Sequence, residues 1–408
     1  MAWYKGNLHM HSYWTDGHDF PEMVAEWFKQ EGYNFIAFTE HDRHQTGDMW
    51  VSQDPARGSG RSMKEGDLLQ KYIQRFGGPW VETRDREGGS VRVKPLSEYR
   101  HLVEETDRFL VMTGEEVTTS WGDVKAGSHT HWINVFNTPE SVAPQYDPDS
   151  SPKAIQATFD CAQTLGKSSG AEVLIFLNHP NFCWNATTED IAAVENLQHI
   201  EIYTALNMCA TFGDDHHCTA ERIWDVALIL RLSNRGKIIY GLATDDCHAY
   251  AHHFEFGDTA LPGRAWICVQ SDWLTPEHIL GAVNRGNYYC SSGVSLDEIV
   301  TTGDEFTFKI IPREGIKYTT RFIGTRIGVD TASEPVMDSD GNEIRTTRTY
   351  SEEIGQVLHE ATDLAPSYTF KGDELYVRAL ITSDAAHPNP TGPNDCEKAW
   401  TQPVVPGT

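Results

Sequence analysis

Histidine and carboxylate residues recur at the ends of short apolar runs in this 408-residue chain. The positions that share this placement are His9, His11, Asp16, His41, Glu116, His131, His179, Asp246 and His248. Imidazole nitrogen and carboxylate oxygen are the groups that bind zinc, iron and manganese in proteins. The set therefore predicts a site for several divalent metals. Such sites favour hydrolysis, because the ions activate water and neutralise charge that develops on a reacting oxygen.

The spacing of the first pair shows why a metal site needs this pattern. Residues i and i+2 of an extended strand share a face, so the imidazoles of His9 and His11 can point at one ion. Carboxylates such as Glu116 add the negative charge that holds several cations together, and one carboxylate can bridge two metals.

Elements that would position these residues alternate along the first 290 residues. The segment 21–30 has apolar residues at helical spacing, with Pro21 in its first turn and Gly32 beyond its end, which predicts a helix. Strand-like apolar runs precede the ligands, at 35–38, 109–112, 173–177 and 238–243. Candidate ligands at the carboxyl ends of successive strands are typical of a β/α barrel, so we expect an α/β fold.

Two segments depart from this alternation. Residues 43–108 hold 12 Lys/Arg and 11 Asp/Glu and are interpreted as an insertion, either a lid that carries cations toward an anionic substrate or a solvated surface excursion. Residues 291–408 show short alternating runs between Gly, Asp and Pro turns, which predict a smaller C-terminal β-sandwich-like domain. The expected domains are therefore 1–290 and 291–408.

Composition limits the classes of partner. Lys+Arg 33 against Asp+Glu 59 gives a net charge of −26, which disfavours duplex nucleic acid. The eight cysteines form no CxxC pair, so a zinc ribbon or dense disulfide scaffold is not expected. No apolar run approaches the length of a membrane span, and no signal-peptide pattern precedes residue 7. We therefore expect a cytoplasmic protein without a membrane partner, while the sequence leaves the oligomeric state open.

The ordered series HxH, TDG, EH, GEE, H, HP and DxH resembles the PHP (polymerase and histidinol phosphatase) superfamily over roughly residues 5–255. The resemblance implies a distorted (β/α)7 TIM-like barrel and two to three divalent metal ions, either zinc, manganese or iron. It also implies that Glu116, in the G-x-E element, bridges two of the metals. The other ligands that match family motifs are His9, His11, Asp16, His41, His179, Asp246 and His248.

Several positions leave a choice or depart from the family pattern. Glu40 stands where the family usually has Asp. Neighbouring residues compete at three positions, and spacing or placement favours the second of each pair: Glu115 and Glu116, His129 and His131, Asp245 and Asp246. Residues expected to support the ligands from behind are Asp42, Asn178 and Glu201.

The chemistry expected from the resemblance is attack of a metal-bridging hydroxide on a small anionic phosphomonoester or phosphodiester. Asp16 and His248 would serve catalysis as well as metal binding. Arg43 and Arg264 are candidates for binding the anion, with surface ion pairs as their alternative.

Other functions and residues remain open. The opening KGNLH also resembles the carbaryl-hydrolase-type branch of the same superfamily, so a carboxyl or carbamate ester metallohydrolase is an alternative. A non-catalytic metal-binding module is a third. His252 and His253 are further candidates to line the cleft.

Overall fold

The computed structural model describes residues 1–54, 67–84, 89–123, 129–250 and 261–407. The α-helices in these ranges are α1 (Pro21–Gln30), α2 (Leu68–Phe76), α3 (Leu96–Val103), α4 (Ser151–Ser169), α5 (Thr188–Ala193), α6 (Ala220–Ser233) and α7 (Pro276–Asn284). None of them is both long and apolar enough to cross a lipid bilayer.

Strands account for most of the remaining regular structure. Those that begin before residue 290 are β1 (Ala2–Asn7), β2 (Phe35–Phe38), β3 (Met49–Ser52), β4 (Thr83–Arg84), β5 (Ser90–Val93), β6 (Leu110–Trp121), β7 (His129–Phe136), β8 (Gln145–Asp147), β9 (Leu174–Leu177), β10 (His199–Thr204), β11 (Tyr240–Thr244), β12 (Trp266–Ser271) and β13 (Tyr288–Ser291). Those that follow are β14 (Ser295–Thr301), β15 (Glu305–Ile311), β16 (Tyr318–Arg326), β17 (Ser333–Glu334), β18 (Thr349–Tyr350), β19 (Gln356–Ala361), β20 (Ser367–Thr369), β21 (Glu374–Ala386) and β22 (Cys396–Thr401).

Local sequence signals account for the helix boundaries. Pro21 opens α1 as predicted, because proline at the first helical position loses no intrahelical hydrogen bond. The side chain of Thr275 caps α7 by accepting from the backbone N–H of His278. The helix α4 ends at Ser169 and is followed by Gly170, which adopts the left-handed conformation that glycine tolerates best.

A 14-stranded sheet dominates the fold. Its hydrogen-bonded order is β11-β10-β9-β7-β6-β2-β1-β12-β13-β22-β21-β16-β19, with β8 paired to β6 off this path. Neighbours run parallel from β1 through β2 to β6 and again from β9 to β11, whereas β7 runs antiparallel to both β6 and β9. The fold class is therefore mixed α/β.

The strand pairing does not show the predicted (β/α)7 TIM-like barrel, because the sheet is not closed. Beyond the ends of β1 and β11 a single parallel bridge joins Met10 to Cys247. Antiparallel β7 also breaks the regular strand–helix alternation that a TIM barrel needs. The candidate ligands nevertheless lie at one edge of this open sheet, since β1, β2, β9 and β11 end beside one another.

A continuous hydrophobic core joins the sheet to its helices. Ile155 of α4, Trp224 of α6 and Ile279 of α7 are buried against strand residues such as Phe176 and Leu242. Burial of these large side chains provides the main stabilising contribution at this layer. It also fixes the strand ends that carry the site.

The C-terminal part packs two β layers together. One layer is the three-stranded sheet β14-β15-β20, and the other is β22, β21 and β16 of the large sheet. Phe306 and Phe308 of the small sheet pack on Phe322 and Ala379 of the large one. The second layer is therefore a continuation of the main sheet, and the predicted boundary at 290/291 falls inside β13. The division into domains stays a prediction.

The insertion predicted at 43–108 contains a small sheet of its own. Its order is β3-β5-β4, and α2 and α3 follow β3 in the chain. Phe20 stacks on Tyr72 of α2 with ring centroids 4.0 Å apart, which joins this segment to the turn before α1. The role of the insertion as a lid stays a prediction.

Candidate metal centre

Side chains from five strands, or from the residues that follow them, meet at one edge of the sheet. His9 and His11 follow β1, His41 follows β2, and Glu116 lies inside β6. His179 follows β9, while Asp246 and His248 follow β11. We call the residues that meet here the metal cluster: His9, His11, Asp16, His41, Glu116, His179, Asp246 and His248.

Glu116 is at the centre of the metal cluster. Its Oε1 lies 3.3 Å from His9 Nε2 and 3.3 Å from His179 Nε2. Its Oε2 lies 3.3 Å from His11 Nε2 and 3.1 Å from His41 Nδ1. One carboxylate thus faces four imidazoles, two through each oxygen. This is the arrangement that a bridging ligand between neighbouring cations requires.

Asp246 is the second shared carboxylate. Its Oδ1 lies 3.2 Å from His9 Nε2 and 3.4 Å from His11 Nε2. Its Oδ2 lies 3.9 Å from His179 Nε2. Neighbouring Asp245 instead accepts the backbone N–H groups of Arg264 and Ala265, so it braces the loop rather than the metal cluster.

Three groups within the metal cluster bring their ligand atoms within 4.8 Å of one another. The groups are His9, His11 and Glu116; His9, His179 and Asp246; and His11, Asp16, His41 and His248. His9 and His11 each belong to two of these groups, so the three share ligands.

Several nitrogen and oxygen atoms of the metal cluster could bind cations, because they have no hydrogen-bond partner within the protein. Both ring nitrogens of His11, Nε2 of His9 and Oδ1 of Asp16 are buried without a hydrogen-bond partner. Buried polar atoms are usually satisfied, and leaving one unsatisfied costs roughly 1–3 kcal/mol. Imidazole and carboxylate donors converging in this way are the chemistry that divalent metals satisfy.

Exposure within the metal cluster is uneven. The side chains of His9 and His11 are fully buried, whereas those of Asp16 and His41 are 45% and 32% exposed. Asp16 lies 3.3 Å from His41 and 3.6 Å from His248 at this exposed side. A small molecule from solvent would therefore approach the metal cluster beside Asp16, His41 and His248.

Mutual electrostatics dominate the ionisation of the metal cluster. Burial opposes protonation of His11, but the nearby carboxylates of Asp246 and Glu116 outweigh it and raise the pKa of His11 to about 10. The same balance of burial against Asp246, Glu201 and Glu116 raises the pKa of His9 well above its usual range. Burial opposes ionisation of Glu116, yet the surrounding imidazoles hold its pKa well below the ordinary value. The site is therefore built to hold positive charge.

Further polar residues contact members of the metal cluster from behind. Glu201 Oε1 lies 2.7 Å from His9 Nδ1 and accepts from the hydroxyl of Thr244 at 2.7 Å. Asn178 donates to Glu116 Oε1 at 2.7 Å. Asp42, the third residue expected here, instead accepts from the backbone N–H and hydroxyl of Thr118. Glu40 accepts from three side chains away from the donor groups: Ser12, Thr15 and Gln45.

His131, predicted as a ligand, lies outside the metal cluster. Its Nε2 is 2.8 Å from the hydroxyl of Ser151 at the start of α4. Burial and the nearby Arg345 guanidinium lower the pKa of His131 to about 3. The competing residue His129 also lies elsewhere, stacked on Trp121. Side chains alternate along a strand, and in β7 Trp132, not His131, reaches the ring of His179.

The two arginines predicted to bind the anion differ in environment. Arg264 is 1% exposed, and its guanidinium donates to the backbone oxygen of Ala205 and to Asn389. Arg43 follows the metal-cluster residue His41 closely in the chain, and its Nε is buried without a hydrogen-bond partner. Arg43 thus keeps a donor for a ligand, whereas the terminal nitrogens of Arg264 are held within the protein. His252 and His253 lie outside the described residues.

Sequence reasoning missed two segments near the site, one at Cys209 and one at residues 387–389. The Sγ of buried Cys209 lies 3.6 Å from Asp246 Oδ2. His387 and Asn389, far along the chain, contact Arg264 through its backbone oxygen and its guanidinium. Neither carries a local signal, because only the tertiary pairing brings these segments to the site. All eight cysteines are free.

No protein-family model matches this chain, and neither does any curated protein. Among solved structures, it is similar to a two-domain protein containing a predicted PHP-like metal-dependent phosphoesterase from Bacteroides vulgatus. The identity is 14%, the TM-score is 0.38, and the alignment covers 98% of this chain and 95% of that chain. A likeness at this level carries no argument, so the chemistry of the site rests on its own geometry. That geometry is compatible with a metal-dependent hydrolase.

Proposed function

We propose that this protein is a metal-dependent hydrolase of the PHP type that acts on a small anionic phosphomonoester or phosphodiester. The observation that carries the proposal is the position of Glu116, with two imidazoles at each carboxylate oxygen. A structural carboxylate would be satisfied by hydrogen-bond donors from the backbone or one side chain. Four converging imidazoles with unsatisfied neighbours instead suit two to three divalent cations.

The residues of the metal cluster would hold zinc, manganese or iron ions in the three overlapping groups. Bound ions supply Lewis acidity, which activates water and neutralises charge on the reacting ester. Glu201 and Asn178 keep His9 and Glu116 oriented, so that the donor atoms are preorganised. The exposed Asp16, His41 and His248 form the side at which substrate and water enter.

Arg43 would hold the anionic part of the substrate. It follows the exposed ligand His41 closely in the chain, and its Nε has no protein partner. A planar guanidinium binds two phosphoryl oxygens at once, which orients the ester as well as attracting it. The net charge of −26 makes such a local cation more important for binding an anion.

A carboxyl or carbamate ester is the second candidate substrate. The observation that favours it is the burial of Arg264, which removes one of the two cations expected to bind a phosphate. A neutral ester needs fewer cationic contacts than a phosphomonoester carrying two charges. The same metal cluster could serve either substrate.

Elemental analysis and a substrate panel test the proposal on one preparation. We expect two to three metals per chain and turnover of nitrophenyl phosphate or its bis-ester in preference to a naphthyl carbamate. His179→Gln should lower both metal content and turnover, whereas His131→Gln, matched in residue type but directed at Ser151, should keep the metal. Turnover of the carbamate alone would select the second candidate. Full metal without turnover of any ester would indicate a metal-binding module, and the absence of metal would refute the proposal.

A further inference from the structure

A cavity of about 810 Å³ lies at the opposite end of the sheet from the metal cluster. Trp3 and Tyr240 line it near the first residues of β1 and β11. His9 and Asp246 of the metal cluster follow the last residues of the same two strands. Since a strand rises about 3.3 Å per residue, the cavity and the metal cluster are on the order of 20 Å apart.

Both parts of the fold contribute walls to this cavity. Arg285 and Tyr288 come from the end of α7 and from β13, whereas Thr301 and Phe306 come from β14 and β15 of the small sheet. The cavity therefore lies in the seam between the α/β part and the small sheet β14-β15-β20. Its volume is in the range of sites that bind small molecules, roughly 300–1,000 Å³.

The charge around this cavity is opposite to that of the chain. Its described lining residues include Arg235 and Arg285 and no aspartate or glutamate, although the chain carries a net charge of −26. Neither guanidinium is paired with a described carboxylate. Unpaired guanidinium groups beside a cavity without carboxylates attract anions.

The end of α6 places Arg235 at this cavity. Its φ is +57°, in the left-handed region, and it directly follows Asn234 at the end of α6. The next backbone N–H, that of Gly236, closes the helix end on the Arg231 oxygen at 2.9 Å. Glycine is the usual residue at such a position, because a side chain is disfavoured there. The left-handed turn at Arg235 therefore ends α6 beside the cavity that this arginine lines.

We propose that this cavity binds a small organic anion. Arg235 and Arg285 would bind its carboxylate, sulfonate or phosphate group. The aromatic rings of Trp3 and Phe306 would contact its apolar body, since both rings line the cavity. The proposal is independent of the proposed hydrolase function, because none of these residues belongs to the metal cluster.

A fluorescence titration with anilinonaphthalene sulfonate, an aromatic anion that brightens when bound, tests this site. We expect Arg235→Gly and Arg285→Gln each to weaken binding by about tenfold, the effect of about 1.4 kcal/mol. Arg321→Gln is the matched control: it removes an exposed arginine on β16 that pairs with Glu360 on β19, and binding should not change. Arg235→Gly should also raise Tm of the free protein by about 1–3 °C, because glycine relieves the left-handed strain.

Competition and metal removal complete the test. Benzoate should displace the dye at lower concentration than inorganic phosphate, and treatment with a chelator should leave dye affinity unchanged. Equal dye affinity in the wild type and both cavity variants would overturn the proposal. Displacement by phosphate as strong as by benzoate would overturn the organic character of the ligand. Because the chelated protein is tested too, the outcome does not depend on hydrolase activity.

Discussion

Glu201 Oε1 lies 2.7 Å from Nδ1 of His9, and both side chains are fully buried. A carboxylate only accepts hydrogen bonds, so Nδ1 carries the proton and Nε2 is left to face Glu116 and Asp246. The other oxygen of Glu201 accepts from the backbone N–H of His179 at 2.8 Å. One carboxylate on β10 therefore sets the orientation of two residues of the metal cluster.

Replacing this carboxylate should weaken metal binding without unfolding the protein. We expect Glu201→Gln to lower metal affinity about 10- to 100-fold, the usual effect of removing a partner behind a metal-binding histidine. Competition against a chromophoric chelator measures this loss. Glu360→Gln, an exposed glutamate on β19, is the control. Unchanged affinity in Glu201→Gln would show that His9 needs no such partner.

Replacing the two arginines predicted to bind the anion should affect different properties, KM for Arg43 and Tm for Arg264. Arg43→Gln should raise KM for an anionic ester about tenfold or more and leave Tm unchanged, because its Nε has no protein partner. Arg264→Gln should lower Tm instead, since it removes donors to Ala205 and Asn389 in a buried site. Steady-state kinetics with a charged and a neutral ester, beside thermal melts, separate the two. An equal change in KM for both esters would remove Arg43 from the anion site.

Glu22 should make stability depend on pH. Burial raises the pKa of its carboxyl group to about 7, even though Tyr72 and Trp80 donate hydrogen bonds that oppose the rise. The folded state therefore binds this proton more tightly than the unfolded state does, for which the ordinary value is 4.5. The stabilisation is present below about pH 4.5 and is lost as pH rises to about 7, a change of about 3 kcal/mol.

Glu22→Gln isolates that contribution. The variant keeps the shape of a protonated carboxyl group but does not titrate, so its stability relative to wild type should increase between pH 5 and pH 8. Denaturant unfolding at the two pH values measures the difference. Glu31→Gln, on an exposed glutamate at the end of α1, should show no such trend. A flat difference for Glu22→Gln would mean that the carboxyl group ionises normally in the folded protein.

A buried ion pair should be the most sensitive contact between the α/β part and the second β layer. Arg378 of β21 donates to both oxygens of Asp225 on α6, at 2.8 and 2.7 Å, and Tyr376 adds a third hydrogen bond. Removing one partner leaves a buried charge, so Asp225→Ala should lower the free energy of unfolding by about 3–5 kcal/mol. Denaturant unfolding measures this. Asp373→Ala, which breaks the exposed pair with Arg326, should cost less than about 1 kcal/mol.

Local signals in the sequence predicted several single elements. The helix 21–30 was predicted with its observed bounds, because Pro21 and the apolar spacing mark it on both sides. The strand-like runs at 35–38 and 173–177 correspond to β2 and β9. The open sheet could not be predicted in this way. Pairing between β13 and β22 joins distant segments, and a strand's own sequence does not specify its neighbour.

His131 on β7 shows how far the residues of the site could be predicted from the sequence. His131 and Trp132 are adjacent, so they point to opposite faces of the strand. Both faces of β7 are largely buried, and the alternation of apolar residues therefore does not say which face meets the metal cluster. The resemblance implied the histidine, whereas the structure directs it to Ser151 and brings the indole to His179.

The position of β22 has a consequence for the order in which the chain is assembled. This strand lies between β13 and β21, both of which leave the ribosome before it. Until residues 396–401 are synthesised, β13 and β21 present unpaired edges, which are prone to pair with other chains. Strand pairing at this position in the sheet is thus completed late in synthesis. A nascent chain halted before this strand would be a natural target for chaperones that shield strand edges.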